Sequence, residues 1–193
     1  MSNARSLKFP MHSRGERNIR ILCAATLGAI LITSCATQEL RSYPTPKTLC
    51  GTSIPSRVIE PILPPGNSIA QDLDERKEPS ERYSFCRINV DGQKILSFTK
   101  EWYPRDSKVI QLATEPRGTR LAKYVADDGS YVYAERGGVS SVPCRKPATE
   151  WKREQGKLFV VVRTSDPIQP NESAMKNLVT GYAKAVSASS ECN

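Results

Sequence analysis

The segment from Ile21 to Cys35 constrains this chain most, because it determines the compartment in which the rest folds. An apolar run of about a dozen residues, 21–32, follows a basic stretch and ends in small residues. A basic start, a short apolar core and small residues before a cleavage point are typical of a secretory signal peptide, whereas a membrane-spanning helix needs about 20 apolar residues. The sequence therefore predicts export and removal of residues 1–34.

The residues directly before Cys35 carry a second signal. Ile32-Thr33-Ser34-Cys35 resembles the lipobox of bacterial lipoproteins. The resemblance implies a lipid in thioether linkage to Cys35, cleavage before that residue and acylation of the new amino terminus. Residues 35–49 are then expected to be the lipidated cysteine and a flexible tether, and residues 50–193 a single globular domain at the extracytoplasmic face of the cell membrane.

Loss of the signal changes the charge of the chain. The full sequence has 28 basic and 20 acidic side chains, a net charge of +8. Residues 1–34 hold five of the basic and one of the acidic side chains, which leaves 23 and 19, a net charge of +4. This small excess suits an anionic envelope polymer or lipid headgroup and is too weak to predict nucleic-acid binding.

The only histidine, His12, leaves with the signal. A chain without histidine has no Ser-His or Cys-His pair and no imidazole ligand for zinc, iron or copper. Asp127-Asp128-Gly129 lacks the further oxygen ligands of a calcium loop and is better explained as a turn. We therefore predict no catalytic residue, no metal and no cofactor.

Four cysteines lie in the predicted domain: Cys50, Cys86, Cys144 and Cys192. An even number of cysteines in an exported domain predicts disulfides, and four cysteines allow three pairings. We favour Cys50–Cys86 and Cys144–Cys192, because each bridge stays within one half of the chain.

Hydrophobic periodicity predicts an α+β domain, with a mainly antiparallel sheet and a C-terminal amphipathic helix packed on one face. Alternating runs at 83–90 and 94–102, joined by Asp91-Gly92, predict a hairpin. The apolar run 158–162 predicts a strand covered on both faces. The helix should begin near residues 170–172, and its apolar face comprises Met175, Leu178, Val179, Tyr182, Ala183 and Val186, with Cys192 stapling its end.

Shorter segments give weaker predictions. They are a helical turn at 56–63, an exposed loop at 71–81, strands at 109–113, 121–125 and 131–134, and a turn at Gly137-Gly138.

The order of these features also resembles a family. After the lipobox come Cys50-Gly51-Thr52, the ending Leu63-Pro64-Pro65-Gly66, and Cys86-Arg87-Ile88 before Val90-Asp91-Gly92, with a terminal Cys192. This order resembles the small exported lipoproteins of actinobacteria, whose functions are largely uncharacterised. The resemblance implies a lipid anchor and disulfides and carries over no catalytic or binding residue.

Two features are candidates for ligand contact. Trp102-Tyr103-Pro104-Arg105 places aromatic rings beside a cation, which suits stacking on a sugar or peptide; the alternative is that Trp102 caps the core and Tyr103 lies in a turn. A basic cluster suits anionic lipid or a phosphate-bearing wall polymer, or is simply a solvated face; its members are Arg136, Arg145, Lys146, Lys152, Arg153 and Lys157. We name Trp102, Tyr103 and Arg105 as candidate binding residues.

Together these features predict a lipid-anchored, non-catalytic binding module of the cell envelope. Its expected partner is an envelope protein, a wall polymer or a small ligand, and it contacts the membrane through the lipid on Cys35. One alternative is an envelope-acting hydrolase that uses carboxylates, which a pocket with two buried acids would favour. Another is a structural spacer or inhibitor, which a fully buried helix face without a pocket would favour.

Mass spectrometry of the membrane-extracted protein, native and then denatured without reductant, tests the anchor and the bridges together. We expect the mass of residues 35–193 plus acyl chains, less the four hydrogens that two disulfides remove. An unlipidated chain with free thiols would contradict the exported-lipoprotein prediction and would bring Cys23 and His12 back into consideration.

Overall fold

The computed structural model describes residues 41–74, 83–114, 121–145, 156–166, 168 and 170–193. The predicted signal, the lipidated Cys35 and Lys146, Lys152 and Arg153 of the basic cluster lie outside these residues. Within the described part of the chain, no helix is both long enough and apolar enough to cross a membrane.

Short strands, short helices and one long C-terminal helix make up the described residues. In chain order they are β1 (Thr48–Leu49), β2 (Thr52–Ser53), α1 (Ser56–Ile59) continued by a 3₁₀ turn (Glu60–Ile62), β3 (Ile69–Asp74), β4 (Tyr83–Val90), β5 (Gln93–Pro104), α2 (Val109–Thr114), β6 (Tyr124–Val125), β7 (Tyr131–Ala134), β8 (Gly137–Val142), β9 (Gly156–Thr164) and α3 (Glu172–Ser187).

Strands β3 to β9 form one antiparallel sheet in the order β3-β4-β5-β9-β8-β7-β6. The predicted hairpin is confirmed as β4–β5. Strand β9 lies at the centre and pairs along its whole length with β5, from Leu96 opposite Thr164 to Pro104 opposite Gly156. Leu158, Val160 and Val162 on the α3 face of β9 are fully buried, and on the other face Phe159 is fully buried against α2 while Val161 is half-buried.

Helix α3 lies across one face of the sheet, which confirms the predicted α+β architecture. Asn171 caps its start, since the Asn171 Oδ1 accepts a 2.7 Å hydrogen bond from the Ala174 N–H. The predicted apolar face is buried against β7, β8 and β9. Gly138 on β8 permits this close approach, because a Cβ there would lie 2.9 Å from a Val179 methyl carbon.

Helix α2 covers the opposite face and corrects the prediction of a strand at 109–113. Val109 and Leu112 pack against Val132, Val139 and Phe159. An apolar run this short fits both the two-residue period of a strand and the 3.6-residue period of a helix. Val109 and Leu112, three residues apart, lie on the same side in a helix but on opposite sides in a strand.

Both disulfides have the pairing that the sequence favoured. Cys50 and Cys86, with Cα atoms 5.6 Å apart, join the β1–β2 turn to β4. Cys144 and Cys192, with Cα atoms 4.5 Å apart, join the residues after β8 to the chain segment after α3.

Residues 41–49, assigned above to the tether, belong to the folded domain instead. The Ser42 N–H donates to the Gly66 carbonyl at 2.8 Å, and the Tyr43 hydroxyl donates to the Pro64 carbonyl at 2.5 Å. Tyr43 and Leu49 are buried in the core, so their apolar surface is removed from water. Any tether is therefore confined to residues 36–40, outside the described residues.

Further differences concern the weaker predictions. The loop at 71–81 begins as part of edge strand β3, and its later residues lie outside the described residues. The strand at 121–125 shortens to β6, and Gly137-Gly138 starts strand β8 rather than forming a turn. The helical turn at 56–63, strand β7 and the turn at 127–130 form as predicted.

Asp91 ties the β4–β5 hairpin to the preceding loop. Its carboxylate accepts hydrogen bonds of 2.8 to 3.1 Å from the Asn67 N–H, the Ser68 N–H and the Ser68 hydroxyl. These donors favour the charged form and lower the pKa of Asp91 below its ordinary value of 3.8, with the two backbone N–H groups as the largest causes.

We therefore expect Asp91 to stabilise the fold in a pH-dependent way. Because its folded-state pKa is lowered, its contribution is present above pH 3.8 and is lost as the pH falls through the folded-state pKa. Asp91→Asn tolerates the positive φ of 48° and removes the charge. Urea midpoints should differ between parent and variant at pH 6 and converge at low pH. Asp127→Asn controls for loss of an exposed charge; an equal shift there would contradict the prediction.

Candidate functional site

The ends of β5, β8 and β9 enclose a cleft of about 540 Å³. The strand register creates it, because Pro104 pairs with Gly156 and Val142 pairs with Leu158 at the same end of the sheet. The volume lies within the range of about 300 to 1,000 Å³ that is usual for ligand sites. Its described lining residues are Trp102, Arg105, Ser141, Val142, Pro143, Cys144, Arg145, Gly156, Lys157 and Leu158.

Three cations line this cleft. Arg105 follows β5, Arg145 follows β8, and Lys157 is the second residue of β9. Arg105 and Arg145 are exposed, whereas Lys157 is half-buried, and its ammonium lies over the Phe159 ring, 5.2 Å from the centroid, on the face of the sheet that Tyr103 shares. No Asp or Glu occurs among the described lining residues.

Trp102 forms one wall of the cleft and is only 5% exposed. Its indole N–H donates a 3.1 Å hydrogen bond to Glu191 Oε1. The other carboxylate oxygen of Glu191 lies 3.7 Å from the Lys100 ammonium. Glu191 thus satisfies a largely buried donor and sets the position of the indole ring.

Tyr103 does not line the cleft, although the sequence grouped it with Trp102 and Arg105. Consecutive residues of a strand point to opposite faces, and Tyr103 belongs to β5 rather than to a following turn. Its hydroxyl donates to Glu101 Oε2 at 3.0 Å, and its ring meets Phe159 edge-to-face with centroids 5.8 Å apart. The structure therefore brings two of the three candidate binding residues together.

The predicted basic cluster divides in the same way. Arg145 and Lys157 lie in the cleft, whereas the Arg136 guanidinium pairs with Asp166 at 2.6 Å elsewhere. The remaining members lie outside the described residues. The cluster is therefore not one continuous basic face within the described part of the chain.

The described lining residues offer few groups for chemistry. The Ser141 hydroxyl donates to the Ser130 carbonyl at 3.1 Å, a structural contact between β8 and the turn before β7. The described residues contain no group of three or more His, Cys, Asp or Glu side chains placed to hold a metal ion. This arrangement can contact a ligand through the Trp102 wall and the side chains of Arg105 and Arg145.

A second polar cluster joins the sheet edge to the start of α3. The Lys123 ammonium lies 2.5 Å from a Glu172 oxygen and 3.2 Å from a Glu135 oxygen. The Glu172 contact is the largest cause that raises the pKa of Lys123, and the same contact lowers the pKa of Glu172. Tyr124 stacks on Tyr133 with centroids 5.0 Å apart. These exposed groups satisfy one another, and we regard them as structural.

Comparisons with protein-family models, curated proteins and solved structures found no match. The fold class and the site geometry are therefore the basis for any statement about function. A fold class alone does not determine function, so the geometry of the cleft must carry that statement.

Glu191 is expected to keep Trp102 out of water. In a Trp151→Phe background, which leaves Trp102 as the only tryptophan, Glu191→Ala should shift the emission to longer wavelength and increase quenching by acrylamide. The reason is that an unsatisfied, largely buried indole N–H costs about 1 to 3 kcal/mol. Glu191→Gln retains an oxygen acceptor and should change the emission less. Equal spectra for all three proteins would contradict the role assigned to Glu191.

Proposed function

We propose that this protein is a lipid-anchored, non-catalytic binding module of the cell envelope. Its ligand site is the cleft at the ends of β5, β8 and β9, which holds a small molecule or one segment of a polymer. The observation that carries the proposal is an open cleft of about 540 Å³ in which the Trp102 wall lies beside the exposed residues Arg105 and Arg145.

The positions of the described carboxylate side chains favour a binding role over hydrolysis. Carboxylate hydrolases need two carboxyl groups facing the scissile bond in environments that separate their pKa values. The described lining residues include no carboxylate. Glu191, behind the Trp102 wall, already contacts the Trp102 indole and the Lys100 ammonium.

A binding role is also favoured over a purely structural spacer. The apolar face of α3 is fully buried, as a spacer would require. A spacer has no use for a cleft, however. The cleft is therefore better explained as a site with a ligand.

The proposed anchor would keep the domain close to the membrane. The folded part includes Arg41, whose side chain pairs with Glu60 at 3.0 Å. At most about 22 Å of extended chain can separate the Cα atoms of Cys35 and Arg41. This limit applies to the end of the sheet at the β4–β5 hairpin, because Arg41 bridges to Gly66 beside the residues bonded to Asp91, whereas the cleft lies at the opposite end of β5.

The proposal is tested by blocking the cleft without changing its charge. Full-length lipidated protein in dodecyldimethylamine oxide, whose headgroup is neither a sugar, a phosphate nor a peptide, would be titrated with neutral disaccharides, sugar phosphates and dipeptides by calorimetry. At least one class should bind with one-to-one stoichiometry. Pro143→Trp, at an exposed lining position, should abolish that binding.

Asn177→Trp, on the exposed face of α3, is the matched control and should bind as the parent does. Binding that survives Pro143→Trp, or no binding by any of the three classes, would contradict the proposed site. Cys35→Ala should release the protein from the membrane fraction, and unchanged membrane attachment would contradict the proposed anchor.

A further inference from the structure

We propose that the disulfide between Cys144 and Cys192 is a redox-sensitive bond. A dithiol reduces it while the disulfide between Cys50 and Cys86 stays intact, and this reduction releases the Trp102 side chain from its partner. The inference goes beyond the proposed function, because it concerns how the residues around Trp102 are held and does not depend on any ligand.

The two disulfides differ in exposure. Cys50 and Cys86 are only 4% and 1% exposed, so both ends of that bridge are buried. In the other bridge Cys192 is fully buried, but Cys144 is half-buried. Reduction begins when a thiolate reaches one sulfur of the bond, so its rate depends on access. Cys144 is therefore the bonded cysteine that a reductant can approach.

The backbone around the two bridges also differs. Cys86 lies within β4, where it pairs with Leu73 on one side and with Phe98 on the other. Cys192 lies after α3 and outside the strands, and its N–H donates to the nearby Ser189 carbonyl at 3.1 Å. Opening a strand that is paired on both sides costs more free energy than moving a short irregular segment. Cys192 can therefore separate from Cys144 without opening of the sheet.

The same segment holds Trp102 in place. Glu191 directly precedes Cys192, and its Oε1 accepts a 3.1 Å hydrogen bond from the Trp102 indole N–H. The Cys192 carbonyl accepts a 3.2 Å hydrogen bond from the Arg145 N–H, beside Cys144. When Cys192 leaves Cys144, Glu191 moves with it, and the largely buried indole loses this acceptor. Water then gains access to Trp102, because a buried donor needs a partner.

The reaction is a thiol–disulfide exchange. A thiolate of the dithiol attacks Cys144 Sγ, the bond to Cys192 Sγ breaks, and Cys192 leaves as a thiolate that takes up a proton. The second thiol of the reductant then attacks its own sulfur in the mixed disulfide and releases Cys144 as a thiol. Two electrons and two protons thus pass to the protein, and the dithiol is oxidised to a disulfide.

A time course of reduction tests the selectivity. Full-length lipidated protein in dodecyl maltoside is treated with dithiothreitol without denaturant, quenched with iodoacetamide at intervals, digested without further reduction and analysed by mass spectrometry. We expect Cys144 and Cys192 to be alkylated at least about tenfold faster than Cys50 and Cys86, because local opening is cheaper than opening of the sheet. Equal rates, faster reduction of Cys50–Cys86, or no reduction of either bridge would overturn the inference.

Tryptophan emission tests the link to Trp102. In the Trp151→Phe background, reduction of Cys144–Cys192 should shift the emission of Trp102 to longer wavelength and increase quenching by acrylamide. Far-ultraviolet circular dichroism should stay constant, since β4 and α3 keep their packing. Oxidised dithiothreitol should restore the original emission. Unchanged emission after selective reduction, or loss of circular dichroism with this bridge, would sink the proposed link.

Three variants in the same background complete the test. Cys144→Ser combined with Cys192→Ser should show the emission of the reduced protein before dithiothreitol is added, and no further shift afterwards. Glu191→Ala should shift less on reduction than the parent, because its indole has already lost the same acceptor. Ser190→Ala, at an exposed position of the same segment, is the matched control and should respond as the parent does.

An equal shift on reduction in Glu191→Ala and the parent would contradict the route through Glu191. Reduction of the parent tests the same point without a substitution, so the result does not depend on folding of the double variant. No ligand enters these measurements. Their failure overturns the redox inference alone, whereas binding that survives Pro143→Trp overturns the proposed site alone.

Discussion

The burial of one face of α3 against the sheet is the interaction on which the other features of this domain depend. Met175, Leu178, Val179, Tyr182 and Val186 are all fully buried there. Complete burial of an apolar side chain stabilises a fold by about 1.5 to 3 kcal/mol, so this face is among the largest favourable contributions in the domain. It also places a geometric demand on the sheet, because the helix can approach β8 only where Gly138 leaves room for Val179. The final helix of the chain therefore determines how the β7–β9 half of the sheet is covered.

The position of α3 in turn assembles the candidate site. The chain leaves the helix at Ser187 and reaches the end of β8, where Cys192 bonds to Cys144. That return brings Glu191 to the indole of Trp102 and the Cys192 carbonyl to the N–H of Arg145. The cleft lining thus comes from β5, β8, β9 and the residues after β5 and β8, and the C-terminal segment supports it through Glu191 and Cys192. Packing of α3 on the sheet brings the C-terminal segment to the end of β8, and the disulfide between Cys144 and Cys192 holds it there. The geometry of the site therefore depends on the core beneath it.

Much of the fold follows from local patterns, and the parts that do not follow depend on tertiary contacts. The β4–β5 hairpin, β9 and α3 were predicted because long periodic runs with strong turn or cap signals leave little ambiguity. Helix α2 was not predicted, because it is too short to show a helical period. Strand β3 was not predicted, because it is a polar strand at the edge of the sheet. At the site, the sequence predicted Trp102 and Arg105 as binding residues and grouped Tyr103 with them. Strand β5 continues to Pro104, however, so its side chains still alternate at Tyr103, which points to the other face of the sheet. Glu191 carried no sequence signal, as its partners lie about 90 residues away along the chain.

The distribution of charge explains why recognition at this site must be local. At physiological ionic strength the field of an exposed charge is screened within about 8 Å, so the net charge of the predicted mature chain cannot attract a ligand from far away. Charges grouped in a cleft with low-dielectric walls act more strongly, because the field is concentrated where solvent is restricted. Trp102, Val142 and Leu158 supply such walls in a cleft that Arg105 and Arg145 also line. Under the proposed anchoring, the lipid keeps Arg41 within about 22 Å of Cys35, and Arg41 lies near the hairpin end of β5. The cleft lies at the opposite end of that strand, so the length of β5 separates it from the point where the tether enters the fold.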